Sequence, residues 1–597
     1  MSCKIIKKEI LDGIRKLLPE LPRDFSLELE IPPRPEMGDL SLACFNLAKL
    51  LKKSPVETAA DLVSICKGSI LTSFISRMEN VGPYLNFFLK KEAWFKEVCE
   101  EILKKREKFG KSSFGKGRRI LIEYSAPNTN KPQHLGHLRN NFLGWAVANL
   151  LTAVGFKVVK ANLVNDRGIH ICKSMLAYQK WGKNRTPESE KIKGDHFVGQ
   201  YYVLFEQKSK KNPELLKEAQ KMLARWEAGD SEILSLWQQM NKWALDGFVK
   251  TYKKIGISFD KWYFESDTYN SGKKIILRAL KKKLCERRED GTIEIDLIKD
   301  GLGKKVLLRA DGTSVYVTQD IGLAKLKQRD FRPDKSIYVV ASEQDYHFKV
   351  LFKVLELFGF DWVKNCQHLS YGMVFLPQGK MKSREGRVVD ADEIINQMEQ
   401  LAKSEILARD PDLSPSEVLE RAQIIALAAL KFYFLKFTPA QIVHFNPEES
   451  ISFEGATGPY IQYAYARIQS IIEKSKSKNQ STKQNVLCSA EPINMGSGQK
   501  SKINYSVLRN KEEVELLKQM FQFPDMLEKS ALDFNPAHLA NYLLKLAQKF
   551  NEFYHEHPVL RAKTNDLKKA RLVLIQTVAL VIKKGLNLLG IEVLDKM

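Results

Sequence analysis

The sequence lacks paired cysteines, and this absence excludes two classes of protein. Its eight cysteines are scattered along the chain, and no CxxC pair occurs. Disulfide-rich secreted domains and zinc-knuckle modules both depend on closely spaced cysteines, so neither class fits. A reducing compartment is the setting that this cysteine usage indicates.

Long apolar runs are also missing. No stretch reaches the ~18 residues that a membrane-spanning helix needs. The best candidate, 572–582, is interrupted by Gln576 and Thr577 and is followed by Lys583. The N-terminus mixes basic and acidic residues without the apolar centre of a secretion signal. We therefore expect a cytoplasmic protein with no membrane contact.

Acidic residues are too few to balance the basic ones. The chain has 95 Lys and Arg against 71 Asp and Glu, which gives a formal net charge of +24. Such a charge attracts polyanions, and a nucleic acid is the first candidate. A solvated basic surface without a partner is the alternative. Net charge alone does not decide between the two, so the decision rests on motifs.

The pattern of apolar residues changes twice along the chain, which is too long for a single core. We predict an α+β domain at 1–112, a Rossmann-type α/β domain with a doubly wound parallel sheet at 113–445, and an all-α helical bundle at 446–597. A mostly helical and charged stretch, about 175–300, is predicted to be an insertion in the parallel sheet.

The parallel sheet is predicted from alternating strands and helices. A strand over 119–124, a helix over 135–154 and a strand over 156–163 form a βαβ unit. Further strands of the same sheet are predicted at 314–318, 336–341 and 367–375.

The first motif with chemical potential is His134-Leu-Gly-His137, where the first predicted strand turns into the helix. A helix N-terminus binds anions, and residues three apart share one helical face. Gly136 leaves room for a nucleotide against the backbone. The alternatives are a metal site or two surface histidines. Because no cysteine or third histidine is near in sequence, we expect no metal ligands here.

The second motif is Gly379-Lys-Met-Lys-Ser-Arg-Glu-Gly386, about 240 residues later. A basic loop between glycines is by itself more often a solvated turn than a phosphate clamp. Together with the first motif, it resembles the two signature motifs of class I aminoacyl-tRNA synthetases. In that family the first motif holds ATP, and the second closes on the pyrophosphate leaving group.

This resemblance implies roles for residues of both motifs. The implied ATP-binding residues are His134, Gly136, His137, Lys380, Met381 and Lys382. The implied catalytic residues are His134, His137, Lys131, Lys380 and Ser383. The usual signature Lys-Met-Ser-Lys-Ser has a second lysine where this chain has Ser383. Either Lys131 or Lys382 can replace that cation, and the sequence leaves the choice open.

Further segments are similar to arginyl-tRNA synthetases in particular. They are 125–134, 316–320, 344–347 and 452–467. The resemblance implies an arginine site formed by Glu123, Asn128, Tyr316, Asp320, Gln344 and Glu265. A guanidinium group offers five donors in a planar fork, so its pocket needs carboxylates in a rigid frame. Asp320, at the end of a predicted strand, suits this role. A helix N-cap is the alternative for Asp320 considered alone.

The two ends of the chain resemble the tRNA-binding parts of the same family. The implied tRNA-binding residues are Asn86, Phe87, Tyr554 and Met597. An exposed aromatic ring can stack on an unpaired base, which would suit Phe87. A packed strand end explains the Asn86-Phe87 pair equally well. The C-terminal helices would then read the anticodon.

The resemblance implies a two-step reaction. L-Arginine attacks the α-phosphate of ATP to give arginyl-adenylate and pyrophosphate, and the arginyl group then moves to the 3′-terminal adenosine of tRNA(Arg). Mg2+ is expected to arrive with ATP and not on a dedicated protein site. No obligatory protein partner is expected. The alternatives are another class I synthetase and a catalytically silent tRNA-binding protein with the same fold.

Overall fold

The computed structural model describes residues 2–66, 74–182, 184–376, 389–477 and 503–597. Within these ranges no helix is both long and apolar enough to cross a lipid bilayer.

The N-terminal part packs helices against a small antiparallel sheet. Its strands are β1 (Leu29–Glu30), β2 (Leu40–Ala43), β3 (Ile75–Val81) and β4 (Tyr84–Leu89), in the order β1-β2-β4-β3. Its helices are α1 (Ser2–Leu17), α2 (Phe45–Leu51), α3 (Pro55–Cys66) and α4 (Lys91–Lys105).

The central part is built on a five-stranded parallel sheet in the order β12-β11-β5-β6-β7. The strands of this part are β5 (Arg119–Glu123), β6 (Lys157–Val164), β7 (Lys261–Phe264), β8 (Glu286–Arg287), β9 (Ile293–Leu297), β10 (Gly303–Leu308), β11 (Lys335–Ala341), β12 (Cys366–Tyr371) and β13 (Val374–Phe375). Strands β8, β9 and β10 form a separate antiparallel sheet.

Helices connect these strands. They are α5 (Leu135–Ala153), α6 (Ile169–Trp181), α7 (Pro187–Glu190), α8 (Gly194–Ser209), α9 (Glu214–Glu227), α10 (Ser231–Ile255), α11 (Glu265–Lys281), α12 (Tyr316–Phe331) and α13 (Asp345–Leu357). Helices α6 to α10 separate β6 from β7. The stretch 175–300, which was predicted to be a mostly helical insertion, therefore also contains β7 of the parallel sheet and the antiparallel strands β8 and β9.

Beyond the central strands, the described residues are almost entirely helical. The elements of this C-terminal part are α14 (Ala391–Arg409), α15 (Pro415–Leu435), β14 (Val443–His444), α16 (Pro447–Ile451), α17 (Gly458–Ser477), α18 (Lys511–Leu532), α19 (Pro536–Glu556) and α20 (Asn565–Leu588). The short strand β14 pairs with β13. The predicted fold class is confirmed: a doubly wound parallel sheet lies between an α+β N-terminal part and a C-terminal helical bundle.

The strand predicted at 314–318 is wrong. Ser314 makes only an isolated bridge to Leu308, and α12 begins at Tyr316. The Thr318 hydroxyl accepts a hydrogen bond from Val315 N (3.1 Å) and donates one to Leu307 O, so a side chain caps the first turn. The alternating β-branched residues that suggested a strand thus start a helix. Asp320 consequently lies on a helix and not at a strand end.

One apolar core joins the two ends of the chain. Trp94 of α4 packs edge-on against Phe521 of α18, with 5.4 Å between ring centroids, and Phe109 stacks on Phe523 at 5.7 Å. Buried Asp39 adds a polar link, since its carboxylate lies 2.9 Å from Lys518 Nζ of α18. The N-terminal and C-terminal helices therefore support each other and the central sheet.

Candidate active site

The first motif forms the N-terminus of α5, with His134 as its N-cap. His134 Nδ1 accepts a hydrogen bond from Gly136 N, and His137 Nδ1 accepts one from His134 N, each at 3.1 Å. The ring centroids lie 4.0 Å apart. A neutral imidazole whose Nδ1 accepts carries its proton on Nε2. Both rings therefore present an Nε2–H donor on the side opposite to the backbone contact.

Both histidines are neutral at physiological pH. Burial, with a contribution from Lys131, lowers the pKa of His134 to about 3. Burial and the neighbouring His134 and Lys131 hold the pKa of His137 well below its usual value. A neutral imidazole donates a hydrogen bond without adding a charge. Positive potential at this site comes from Lys131 and the helix N-terminus.

The chain returns to the first motif directly after the second one. Leu135 N donates to Val389 O (3.2 Å), and Ala391 N donates to Gln133 O (3.0 Å). Asp390, the N-cap of α14, forms an antiparallel bridge with His134. The predicted site residues of the second motif, Lys380, Met381, Lys382 and Ser383, lie outside the described residues.

Lys131 lines a cavity of about 590 Å³ together with His134 and residues of α8. Helix α8 packs closely on this loop, because a Cβ added at Gly199 would come 2.7 Å from Pro132 Cδ. Burial lowers the pKa of Lys131, and no carboxylate in the described part of the chain pairs with it. A desolvated amine without a counter-ion is suited to receive an anionic ligand.

Three acidic side chains meet near the carboxyl ends of the parallel strands. Glu123 ends β5, Glu265 follows β7 as the first residue of α11, and Asp320 lies in the second turn of α12. Burial raises the pKa of Glu265 to about 8, and Asp320 is the next largest cause. Burial also raises the pKa of Glu123, Lys327 lowers it, and Asp320 raises it. The three carboxylates therefore interact, and mutual repulsion favours a bound cation between them.

Asp320 has a partner in His347 of α13. His347 Nε2 lies 2.6 Å from Asp320 Oδ2. Burial is the largest influence and opposes protonation of this ring, but the hydrogen bond to Asp320 and the charge of Asp320 together outweigh it and raise the pKa of His347. The hydrogen bond fixes one carboxylate oxygen and leaves the other for a ligand.

Three residues of this pocket were not predicted from the sequence: Lys327, Gln319 and Arg167. Lys327 of α12 forms an ion pair with Glu123. The Gln319 amide nitrogen faces Glu265 Oε1, and its oxygen accepts a hydrogen bond from Arg167 Nη1 (3.1 Å). Had 316–331 been predicted as a helix, Lys327 would have been expected on the same face as Asp320, because residues seven apart share one helical face.

The other three predicted arginine-binding residues differ in exposure. Asn128 is half-buried in the loop after β5 and bridges to Asn165, whereas Gln344 is exposed just before α13. Tyr316 is 71% exposed at the start of α12 and lies one turn from Asp320.

A separate charged cluster does not fit a divalent cation. Asp195, His196 and Asp392 offer ligand atoms within 4.8 Å of one another. Lys193 Nζ, however, lies 3.1 Å from Asp195 Oδ2 and 2.5 Å from Asp392 Oδ2, and so already supplies the positive charge. This cluster ties α8 to the N-terminus of α14, next to the first motif.

The predicted tRNA-binding residues differ in exposure. Phe87 is 0% exposed, so its ring packs in the core and offers no face to a base. Of the two alternatives for the Asn86-Phe87 pair, the structure therefore supports the packed strand end. Asn86 is also buried. Tyr554 is 37% exposed, and the guanidinium carbon of Arg467 lies 5.0 Å from its ring centroid. Met597 is half-buried against the C-terminal helices.

The parallel sheet and the histidine-capped helix, together with the second motif of the sequence, define a class I aminoacyl-tRNA synthetase. A family model described as the class I tRNA synthetase (R) catalytic domain matches residues 98–441. A DALR anticodon binding domain model matches 461–597, and an arginyl tRNA synthetase N terminal domain model matches 4–89. The chain belongs to the arginine–tRNA ligase family, which confirms the resemblance seen in its motifs.

Individual relatives agree over nearly the whole chain. An arginine–tRNA ligase of Treponema denticola is 45% identical over 98% of this chain and 96% of its own length. One of Bacteroides fragilis is 42% identical over 98% of both chains. Among solved structures, the arginyl-tRNA synthetase of Thermus thermophilus has a TM-score of 0.81 at 26% identity and covers 99% of this chain and 100% of its own.

Proposed function

We propose that this protein is an arginine–tRNA ligase, which activates L-arginine with ATP and esterifies it to the 3′-terminal adenosine of tRNA(Arg). The observation that carries the proposal is the acidic pocket beside the histidine-capped helix. Glu265 and Asp320 interact unfavourably with each other, and a guanidinium between them would relieve that repulsion. An apolar or acidic amino acid would leave Glu265 and Asp320 without a cation.

The first motif is suited to hold the triphosphate. His134 and His137 each present an Nε2–H, and the dipole of α5 adds positive potential at the same end of the helix. Lys131 adds a positive charge from the loop before the helix. Such donors stabilise charge that develops on the α-phosphate as the arginine carboxylate attacks and pyrophosphate leaves. Mg2+ that arrives with ATP would neutralise phosphate charge.

In this scheme, the rest of the rate enhancement comes from the positioning of the two substrates. Neither step requires a covalent bond to a side chain, so the protein acts by holding two substrates in line and by stabilising charge. We assign Glu123, Asn128, Tyr316, Asp320, Gln344 and Glu265 to arginine. In the second step a ribose hydroxyl of the tRNA takes the arginyl group and AMP leaves.

The tRNA is proposed to span the molecule from its N-terminal to its C-terminal part. We keep the division into 1–112, 113–445 and 446–597, with tRNA contacts at both ends and anticodon reading in the last part. The net charge of +24 and the family models at both ends support this arrangement. We place the activity in the cytoplasm, without an obligatory protein partner.

Charging of total tRNA with each of the twenty amino acids tests the proposal. We expect esterification with arginine only, dependent on ATP. The Asp320→Asn variant should charge poorly at low arginine concentration, and the exposed-site variant Lys325→Met should resemble the wild type. Charging with a different amino acid, or tRNA binding without any charging, would contradict the proposal.

A further inference from the structure

Lys327 is a buried cation at the base of the acidic pocket. Its residue is 1% exposed, it forms an ion pair with Glu123, and its Nζ lies 4.5 Å from the ring centroid of Tyr338 on β11. Glu123 is itself 5% exposed. Lysine is almost never buried so completely unless its charge is paired, so this contact is the reason that Lys327 can occupy the site.

The position of Lys327 on α12 connects it to Asp320. The two residues are seven apart, which is two helical turns or ~10 Å along the same face of the helix. That face is directed toward the end of β5, where Glu123 lies. One helix therefore carries both Asp320 and the cation that binds Glu123.

Lys327 is the group that favours the charged form of Glu123 against the effect of burial. The titratable and charged groups that face it are Lys327 and Asp320 from α12, Tyr338 from β11 and Tyr263 from β7. Burial raises the pKa of Glu123 and Asp320 adds to that effect, whereas Lys327 lowers it. Without Lys327, both remaining influences favour the protonated carboxyl.

We infer that Lys327 is a positioning residue of the arginine site, which holds Glu123 ionised and in place and fixes α12, and with it Asp320, against β5. This inference rests on the proposed function, because it concerns how the arginine site is formed. Lys327 touches neither arginine nor ATP in this scheme and acts through Glu123.

A purely structural ion pair is the alternative, and the two interpretations differ in a measurable way. Buried ion pairs contribute little net stability and can often be replaced by neutral side chains of similar volume. If the pair were only structural, a neutral pair should preserve arginine binding. If Glu123 must be ionised for arginine, the neutral pair should fold but bind arginine poorly.

The experiment compares Lys327→Met, the double variant Glu123→Gln/Lys327→Met, and Lys325→Met as a control. Lys325 lies on the same helix but is exposed. Arginine-dependent pyrophosphate exchange, with tRNA present, gives KM for arginine and for ATP between pH 6.5 and 8.5. Thermal unfolding of each variant reports whether it is folded.

We expect Lys327→Met to raise KM for arginine roughly 10- to 100-fold at pH 6.5, the effect of losing one charged contact, with KM for ATP within about twofold of wild type. The double variant should unfold near the wild-type temperature and stay impaired for arginine at every pH. Lys325→Met should match the wild type.

An unchanged arginine KM, equal effects on both substrates, or a double variant with wild-type arginine KM would each overturn the inference. If Lys327→Met does not fold, the double variant decides, because it contains no unpaired buried charge. A wild-type protein that does not charge arginine would instead overturn the proposed function itself. The wild-type charging assay is therefore performed first.

Discussion

Arginine binding should depend on pH because of Glu265. Burial, with Asp320 next, raises the pKa of its carboxyl to about 8 in the free protein. A guanidinium binds the ionised carboxylate, so the protonated form must lose its proton when arginine enters. The affinity for arginine should therefore rise between pH 6.5 and 8.5, and binding should release a proton at the lower end of that range.

The size of the effect follows from the pKa. With a value of about 8, roughly 3% of Glu265 is ionised at pH 6.5 and roughly 75% at pH 8.5. Arginine should bind about 25-fold more tightly at the higher pH, which is ~1.9 kcal/mol. At pH 7 close to one proton should be released for each arginine bound.

Isothermal titration calorimetry in buffers of different ionisation enthalpy measures both quantities. The Glu265→Gln variant should bind arginine more weakly and lose most of the pH dependence and of the proton release. Asp267→Asn, an exposed carboxylate on the same helix, should retain both. A wild-type affinity that is flat over this range, or a Glu265→Gln variant with the full proton release, would refute the reasoning.

Three further outcomes test the site and its frame. Asp320→Asn should raise KM for arginine far more than KM for ATP, because it removes a charged contact of roughly 2 to 4 kcal/mol; equal effects would contradict its assignment. Lys131→Ala should lower kcat for activation by roughly 10²–10³ in pyrophosphate exchange, and Lys382→Ala much less, if Lys131 is the substitute cation; normal turnover of Lys131→Ala would exclude it. Arg139 is buried and donates to five backbone carbonyls at 372–373 and 438–441. Arg139→Met should therefore lower the free energy of unfolding by about 3 to 5 kcal/mol in urea titrations, and a loss below about 1 kcal/mol would show that these contacts matter little.

Local sequence determined the proposed nucleotide side of the site. His134 and His137 are three residues apart at a strand-to-helix turn, and that spacing alone places both rings at a helix N-terminus. The βαβ unit around them was predictable for the same reason, since apolar periodicity specifies strands and helices over short distances. Resemblance over several segments then identified the family.

Tertiary structure decided the amino-acid side of the site. The segment 314–318 has the alternation of a strand, yet the Thr318 side-chain cap and its contact with Leu307 start a helix there. Glu123 and Lys327 are distant in sequence and meet only because α12 crosses the end of β5. Phe87 could be exposed or packed, and only the assembled core settled that it is packed. Burial and long-range charge contacts depend on the whole fold, so no local pattern could give the raised pKa of Glu265.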